Sequence, residues 1–118
     1  MANARVARGR KSQGIAAEYL RANGFPMAMP VWGSMPGRDI HGTPGLAFEV
    51  KARRDLDLTG DLRQSARNAK DDVPVLLIRP DGYGEARIAE WILALSFADA
   101  VKLFRAAGYG VPLPHDEL

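Results

Sequence analysis

Glu49 and Lys51 stand two apart in the run Phe48-Glu49-Val50-Lys51. In a strand, residues i and i+2 share a face, so these two side chains project together while Phe48 and Val50 point the other way, into a core. Asp39 lies earlier, in a short apolar-flanked segment followed by the Gly/Pro turn Gly42-Thr43-Pro44-Gly45. With Asp39 on the neighbouring strand, one face carries two carboxylates and an ammonium. Such a set can hold a hard divalent cation and position a water for hydrolysis. An acidic residue two before a lysine is common, and by itself reads as a surface ion pair contributing little. The context lifts it: the alternate residues are apolar, Asp39 falls on the preceding hairpin strand, and Arg53-Arg54 follow at the strand end.

These residues need a sheet to hold them, and the chain supplies one. Ser12 is suited to cap a helix over Gln13–Asn23, with Ile15, Tyr19 and Ala22 as its apolar stripe, Ala16 and Leu20 alongside, and Gly24 as its stop. Met27–Trp32 reads as a strand in which Pro30 demands an edge or a bulge. Arg38–His41 and Leu46–Ala52 are the next two strands, forming a meander that sets Asp39 beside Glu49. Thr59 is the expected N-cap of a second helix, Gly60–Lys70, whose stripe is Leu62, Ala66 and Ala69. Val73–Arg79 is almost continuously apolar, as in a strand covered on both faces. Ile88–Leu95 is a fifth strand, and Ser96 with Asp99 opens a third helix, Phe97–Ala107, closed by Gly108. The order α-β-β-β-α-β-β-α joins a parallel crossover to an antiparallel meander. That is α/β bordering on α+β: a mixed sheet of about five strands flanked by helices.

The 118 residues suffice for one domain, expected over 12–110, between a flexible basic arm at 1–11 and a tail at 111–118. There is no cysteine, and the two histidines, His41 and His115, are too far apart to suggest zinc. No apolar run approaches the roughly 18 residues of a membrane span, and the N-terminus lacks the apolar core of a secretory signal. The terminal His-Asp-Glu-Leu matches a retention address for the endoplasmic reticulum. With no other sign of the secretory route it reads as coincidence, and a cytoplasmic protein is expected. The net charge of +2 is unevenly spread: residues 1–70 hold twelve Lys/Arg against six Asp/Glu, residues 71–118 four against eight. A basic face built from the first half, turned towards a polyanion, would account for this.

Gly33-Ser34, Asp39-Ile40 and Phe48-Glu49-Val50-Lys51, preceded by a helix with Glu18 and followed by one with Gln64, resemble the PD-(D/E)XK nuclease superfamily. Within it the pattern is most similar to the small archaeal-type Holliday junction resolvases and related phage or bacterial proteins. The similarity follows element order over roughly residues 9–105 but rests on a handful of residues. Arg38 stands where the motif's proline would precede Asp39. The resemblance implies a restriction-endonuclease-like sheet and a Mg²⁺-dependent endonuclease, with Mn²⁺ as a substitute. Asp39, Glu49 and the Val50 carbonyl would hold the ion, with Glu18 completing the shell. Lys51 would orient the attacking water or stabilise the transition state, and Ser34 would contact the phosphate or a metal-bound water. Gln64 would assist, although a helical wheel sets it opposite Leu62, Ala66 and Ala69. DNA, branched or four-way, would be held by Arg5, Arg8, Arg10, Lys11, Arg53 and Arg54. The resolvases act as two-fold dimers, and the strand around Trp91 offers an interface. Other readings are a general nicking or restriction-type nuclease, a DNA-binding module that does not cut, and a small interaction domain.

Overall fold

The computed structural model describes residues 4–32, 38–52 and 56–113, with side chains from residue 7 onward. The elements are α1 Ala4–Ala22, β1 Met29–Pro30, β2 Ile40–His41, β3 Leu46–Lys51, α2 Leu58–Ala69, β4 Val73–Ile78, β5 Ile92–Ala94 and α3 Phe97–Ala106. One open five-stranded sheet runs β1 to β5 in sequence order. Only β3 and β4 are parallel; the other neighbours are antiparallel. The fold is therefore the mixed α/β arrangement expected, in the expected order.

β3 and β4 form the spine. Phe48 and Val75 point to one face, where Ile40, Trp91 and Ile15, Ala16 and Ala17 of α1 join them in the main core. Strand alternation sends Ala47, Glu49, Lys51 and Leu76 to the other face, which α2 covers with Ala69 buried. The β2–β3 turn fixes the relation of Asp39 to Glu49. Gly42 takes φ +84°, and a Cβ there would overlap the Met27 carbonyl. Buried Thr43 donates from Oγ1 to the Leu46 carbonyl at 3.0 Å.

Several boundaries differ from the sequence reading. Helix α1 begins at Ala4 rather than after Ser12, so residues 4–11 are helix and not a flexible arm. Ser12 is buried inside α1; its hydroxyl donates to the Arg8 carbonyl at 2.8 Å and accepts from Arg79 Nη1 at 2.9 Å. A serine that bonds back one turn has no need to cap. The buried face of α1 is Ser12, Ile15, Ala16 and Ala17, with Leu20 packed against the core, while Tyr19 and Ala22 are exposed. Helix α2 is capped by Asp57, which accepts from the Gly60 amide at 3.1 Å, and not by Thr59. Its buried residues are Asp61, Ser65 and Ala69, so the helix is turned relative to the apolar stripe, with Leu62 half-buried and Ala66 exposed.

β1 keeps only two residues and lies at the sheet edge, where Pro30 lacks no needed donor. β5 is also shorter than Ile88–Leu95, because Glu85–Glu90 form 3-10 turns. Arg87 grips Glu90 through two bonds of 3.0 and 3.2 Å, an i,i+3 pair that suits a helix and not a strand. Trp91 consequently leaves the sheet pattern and is buried in the core, with its indole N–H on the Gly84 carbonyl at 3.3 Å. At α3 the expectation holds: Ser96 Oγ accepts from the Asp99 amide at 3.1 Å, and Gly108 follows with φ +101°.

Candidate active site

The turn at 42–45 returns the chain so that Ile40 pairs with Phe48, and Asp39 arrives at the edge of β3 beside Glu49. Its amide donates to the Phe48 carbonyl at 2.8 Å. Its carboxylate Oδ2 accepts from the Val50 amide at 2.7 Å. A strand residue's N–H and C=O point to the same edge, so the Val50 carbonyl faces the Asp39 side as well. Parity does the rest on β3: Glu49 Oε1 lies 3.4 Å from Lys51 Nζ, with both side chains 19% exposed. The structure thus brings Asp39, Glu49, Val50 and Lys51 together.

The electrostatics of this cluster oppose its charge. Burial raises the Asp39 pKa above its usual 3.8, against the Val50 amide and the Lys51 ammonium, which lower it. Burial also raises Glu49 above 4.5; Asp39 adds to the rise, Lys51 opposes it, and Asp61 contributes a smaller increase. Two carboxylates held half-buried side by side, with one lysine between them and neutrality, form a place where a further cation would be welcome. The donor set is all oxygen, as Mg²⁺ prefers, and Mg²⁺ commonly uses only one or two carboxylates while keeping its waters. Among the described residues no group of three or more His, Cys, Asp or Glu gathers as a closed metal cage. An open two-carboxylate site is the fit that remains.

Asp61 is the residue that the sequence reading missed. It is buried on α2 and acts on Glu49 from across the covered face. It lies in the first turn of α2, and the observed rotation of that helix turns it inward. Gln64, expected to assist, is exposed on the same helix and away from that face. Glu18, expected in the metal shell, is exposed on α1, which packs on the opposite face of the sheet. It borders a surface hollow with Tyr19 and Glu85 instead. Ser34, Arg53 and Arg54 lie outside the described residues, as does the side chain of Arg5.

The basic candidates on α1 fall elsewhere. Arg8 and Lys11 line an open groove of about 510 Å³ with Arg79, Asp81, Tyr83 and Gly84. Arg79 is braced there: Nε donates to the Tyr83 carbonyl at 2.7 Å, Nη1 to Ser12, and the guanidinium lies 5.4 Å from the Trp91 ring centre. Arg8 Nη2 is 3.7 Å from Asp81, and its Nε is buried without a hydrogen-bond partner among the described residues. Arg10 is exposed and lies outside the groove lining. The Arg79 amide donates to the Lys51 carbonyl at 2.8 Å. The groove therefore opens at the same end of the sheet as Lys51, on the other face.

No protein-family model, no curated protein and no solved structure matches this chain.

Proposed function

We propose that this chain is a Mg²⁺-dependent DNA endonuclease of the PD-(D/E)XK kind, selective for branched DNA such as four-way junctions. The observation that carries the proposal is the Asp39–Val50 bond at the edge of β3. It fixes a half-buried carboxylate against the Glu49–Lys51 pair. A module that only binds DNA gains nothing from two carboxylates turned towards phosphate. Junction selectivity rests on the sequence resemblance.

In this reading Asp39, Glu49 and the Val50 carbonyl hold the ion. Bound there, Mg²⁺ supplies a Lewis acid for the scissile phosphate and an acidified water. Asp39 stays oriented because its second oxygen is already engaged by the Val50 amide. Lys51 pairs with Glu49; with Glu49 among the groups that would hold the ion, Lys51 Nζ would serve a phosphate oxygen or the attacking water. Arg8, Lys11 and Arg79 take phosphates further along the strand, where it wraps over the end of the sheet from the carboxylate face.

The test incubates purified protein with a synthetic four-way junction and a linear duplex of the same sequence, with Mg²⁺ or EDTA. The expected result is paired nicking of the junction in Mg²⁺, none in EDTA, and none by Asp39→Asn. Equal cutting of both substrates would favour a general nuclease. Binding without cutting, unchanged by Asp39→Asn, would overturn the catalytic reading.

A further inference from the structure

The chain has two tryptophans, and they are placed in opposite ways. Trp91 is 7% exposed and packed in the core, whereas Trp32 is 52% exposed. An indole is a large apolar side chain that a fold normally covers over most of its area. Trp32 lies two residues past β1, the edge strand of the sheet, which has no neighbouring strand on its outer side among the described residues. The amide of Val31, its chain neighbour, donates to the Asp39 carbonyl at 2.8 Å. Paired strand residues lie about 5 Å apart and successive Cα atoms about 3.8 Å, so the Trp32 Cα is within roughly 9 Å of that of Asp39. Met27 and Met29, also exposed, extend the apolar surface along the same edge. Arg21 stands beside it, with Nη1 on the Ala28 carbonyl at 2.8 Å and on the Met29 sulfur at 3.4 Å.

We infer that Trp32 stacks on an uncovered base of branched DNA and is the side chain that separates a junction from a linear duplex. The inference rests on the reading of the Asp39, Glu49 and Lys51 site as one that acts on DNA, and it gives junction selectivity a residue of this chain. Stacking needs a free base face. Inside a linear duplex every base is covered above and below, so an indole gains contact only after the stack is opened. At the centre of an open four-way junction, the terminal pairs of the arms lack a stacking neighbour on one side. Distance agrees: at a rise of about 3.4 Å per base, a phosphate held beside Asp39 is two or three nucleotides from a base at Trp32. Stacking on an aromatic ring tolerates any base, which suits recognition of shape and not of sequence. The two methionines are flexible and polarisable, and adapt to a base arriving at varied angles. Arg21 supplies a cation for the phosphate of the same nucleotide. One indole and two methionines are small beside the roughly 800 Å² per partner of a protein interface, and fit one or two bases.

Fluorescence in EDTA tests this, with a synthetic four-way junction and a linear duplex of the same sequence as probes. Because Trp91 is buried, acrylamide quenching of the free protein reads mainly Trp32. Saturating junction is expected to lower that emission and to shield it from acrylamide, and saturating duplex to do neither. By anisotropy, Trp32→Ala is expected to lower the preference for junction over duplex about tenfold, and Trp32→Phe, which keeps a ring, to retain most of it. An indole that stays open to acrylamide under saturating junction would overturn the inference. An equal loss of affinity for both probes in Trp32→Ala would overturn it too. Should Trp32→Ala unfold, shielding of the wild-type indole decides. Neither readout involves cleavage. A chain that shields Trp32 on the junction but does not cut in Mg²⁺ would remove the nuclease reading and keep this inference. A chain that cuts the junction while Trp32→Ala holds its full preference would do the reverse.

Discussion

Asp39 and Glu49 keep their protons to higher pH than free carboxylates, because burial and, for Glu49, the neighbouring aspartate disfavour the charged forms. In the unfolded chain the two ionise near 3.8 and 4.5. Between those values and the raised ones, the folded chain binds more protons than the unfolded. The stability this pair contributes is therefore full below the unfolded values and lost as pH rises through the folded ones. On the proposed reading Mg²⁺ needs the ionised forms, so its affinity is expected to run the opposite way, climbing with pH and levelling off above both raised values. Asp39→Asn keeps an oxygen for the Val50 amide while removing the charge. Melting curves of the metal-free protein at neutral pH should place this variant above wild type. Mg²⁺ at about ten times its Kd should add ~1.4 kcal/mol to the wild type and nothing to the variant. A wild-type melt indifferent to Mg²⁺ at pH 8 would remove the ion from the site. Strand parity alone made Glu49 and Lys51 legible as a pair, and the hairpin made Asp39 legible beside them. Asp61 was not legible, since its inward aim depends on how α2 rotates when polar side chains face a polar patch.

The elements carry the geometry of these residues, and two backbone positions show how. Gly42 turns β2 into β3 with a left-handed φ and passes against the Met27 carbonyl. Gly42→Ala meets both the conformational penalty and the overlap, so a loss of at least about 2 kcal/mol is expected in urea unfolding. Cation binding should weaken in the same variant as Asp39 shifts. Lys70 is the converse case: it closes α2 at φ +56°, ψ −116°, a conformation costly for any residue with a Cβ. Lys70→Gly should stabilise the fold by about 1 kcal/mol without touching the site. The turn at 42–45 and the order of elements could be read directly, because glycine and proline punctuate the chain. Helix faces were read less well. Apolar pattern predicted Leu62 and Ala66 inward on α2, but a short stripe of small residues exerts little pull, and Asp61 and Ser65 lie inward instead. At residues 85–90 the i,i+3 pairing of Arg87 with Glu90 and of Ile88 with Trp91 outweighed the alternation that suggested a longer strand.

Across the whole molecule, charge divides by sequence half, and that division was visible before any fold was known. The groove that sets Arg8 and Lys11 from the first half beside Arg79 from the second was not. Arg79 follows a strand that reads as almost continuously apolar, and it meets Arg8 and Lys11 only because α1 extends back to Ala4. A mobile arm would have left those two cations without a fixed position; a helix presents them three residues apart on one side, over the carboxyl end of β4. Arg79 is unsuited to testing this surface, since its contacts with Ser12, Tyr83 and Trp91 are structural. Lys11 is exposed and can be changed with little effect on the fold. If it neutralises one phosphate, Lys11→Ala should lower the slope of log affinity against log salt by about 0.9 for duplex DNA, almost independently of sequence. Fluorescence anisotropy in EDTA measures this without cleavage. Lys102→Ala, on α3, serves as the control, because a strand passing over the Lys51 end of the sheet does not reach a helix that departs from the opposite end of β4. Equal slopes for wild type and Lys11→Ala would remove the groove from the DNA path and leave the phosphate contacts to the carboxylate face.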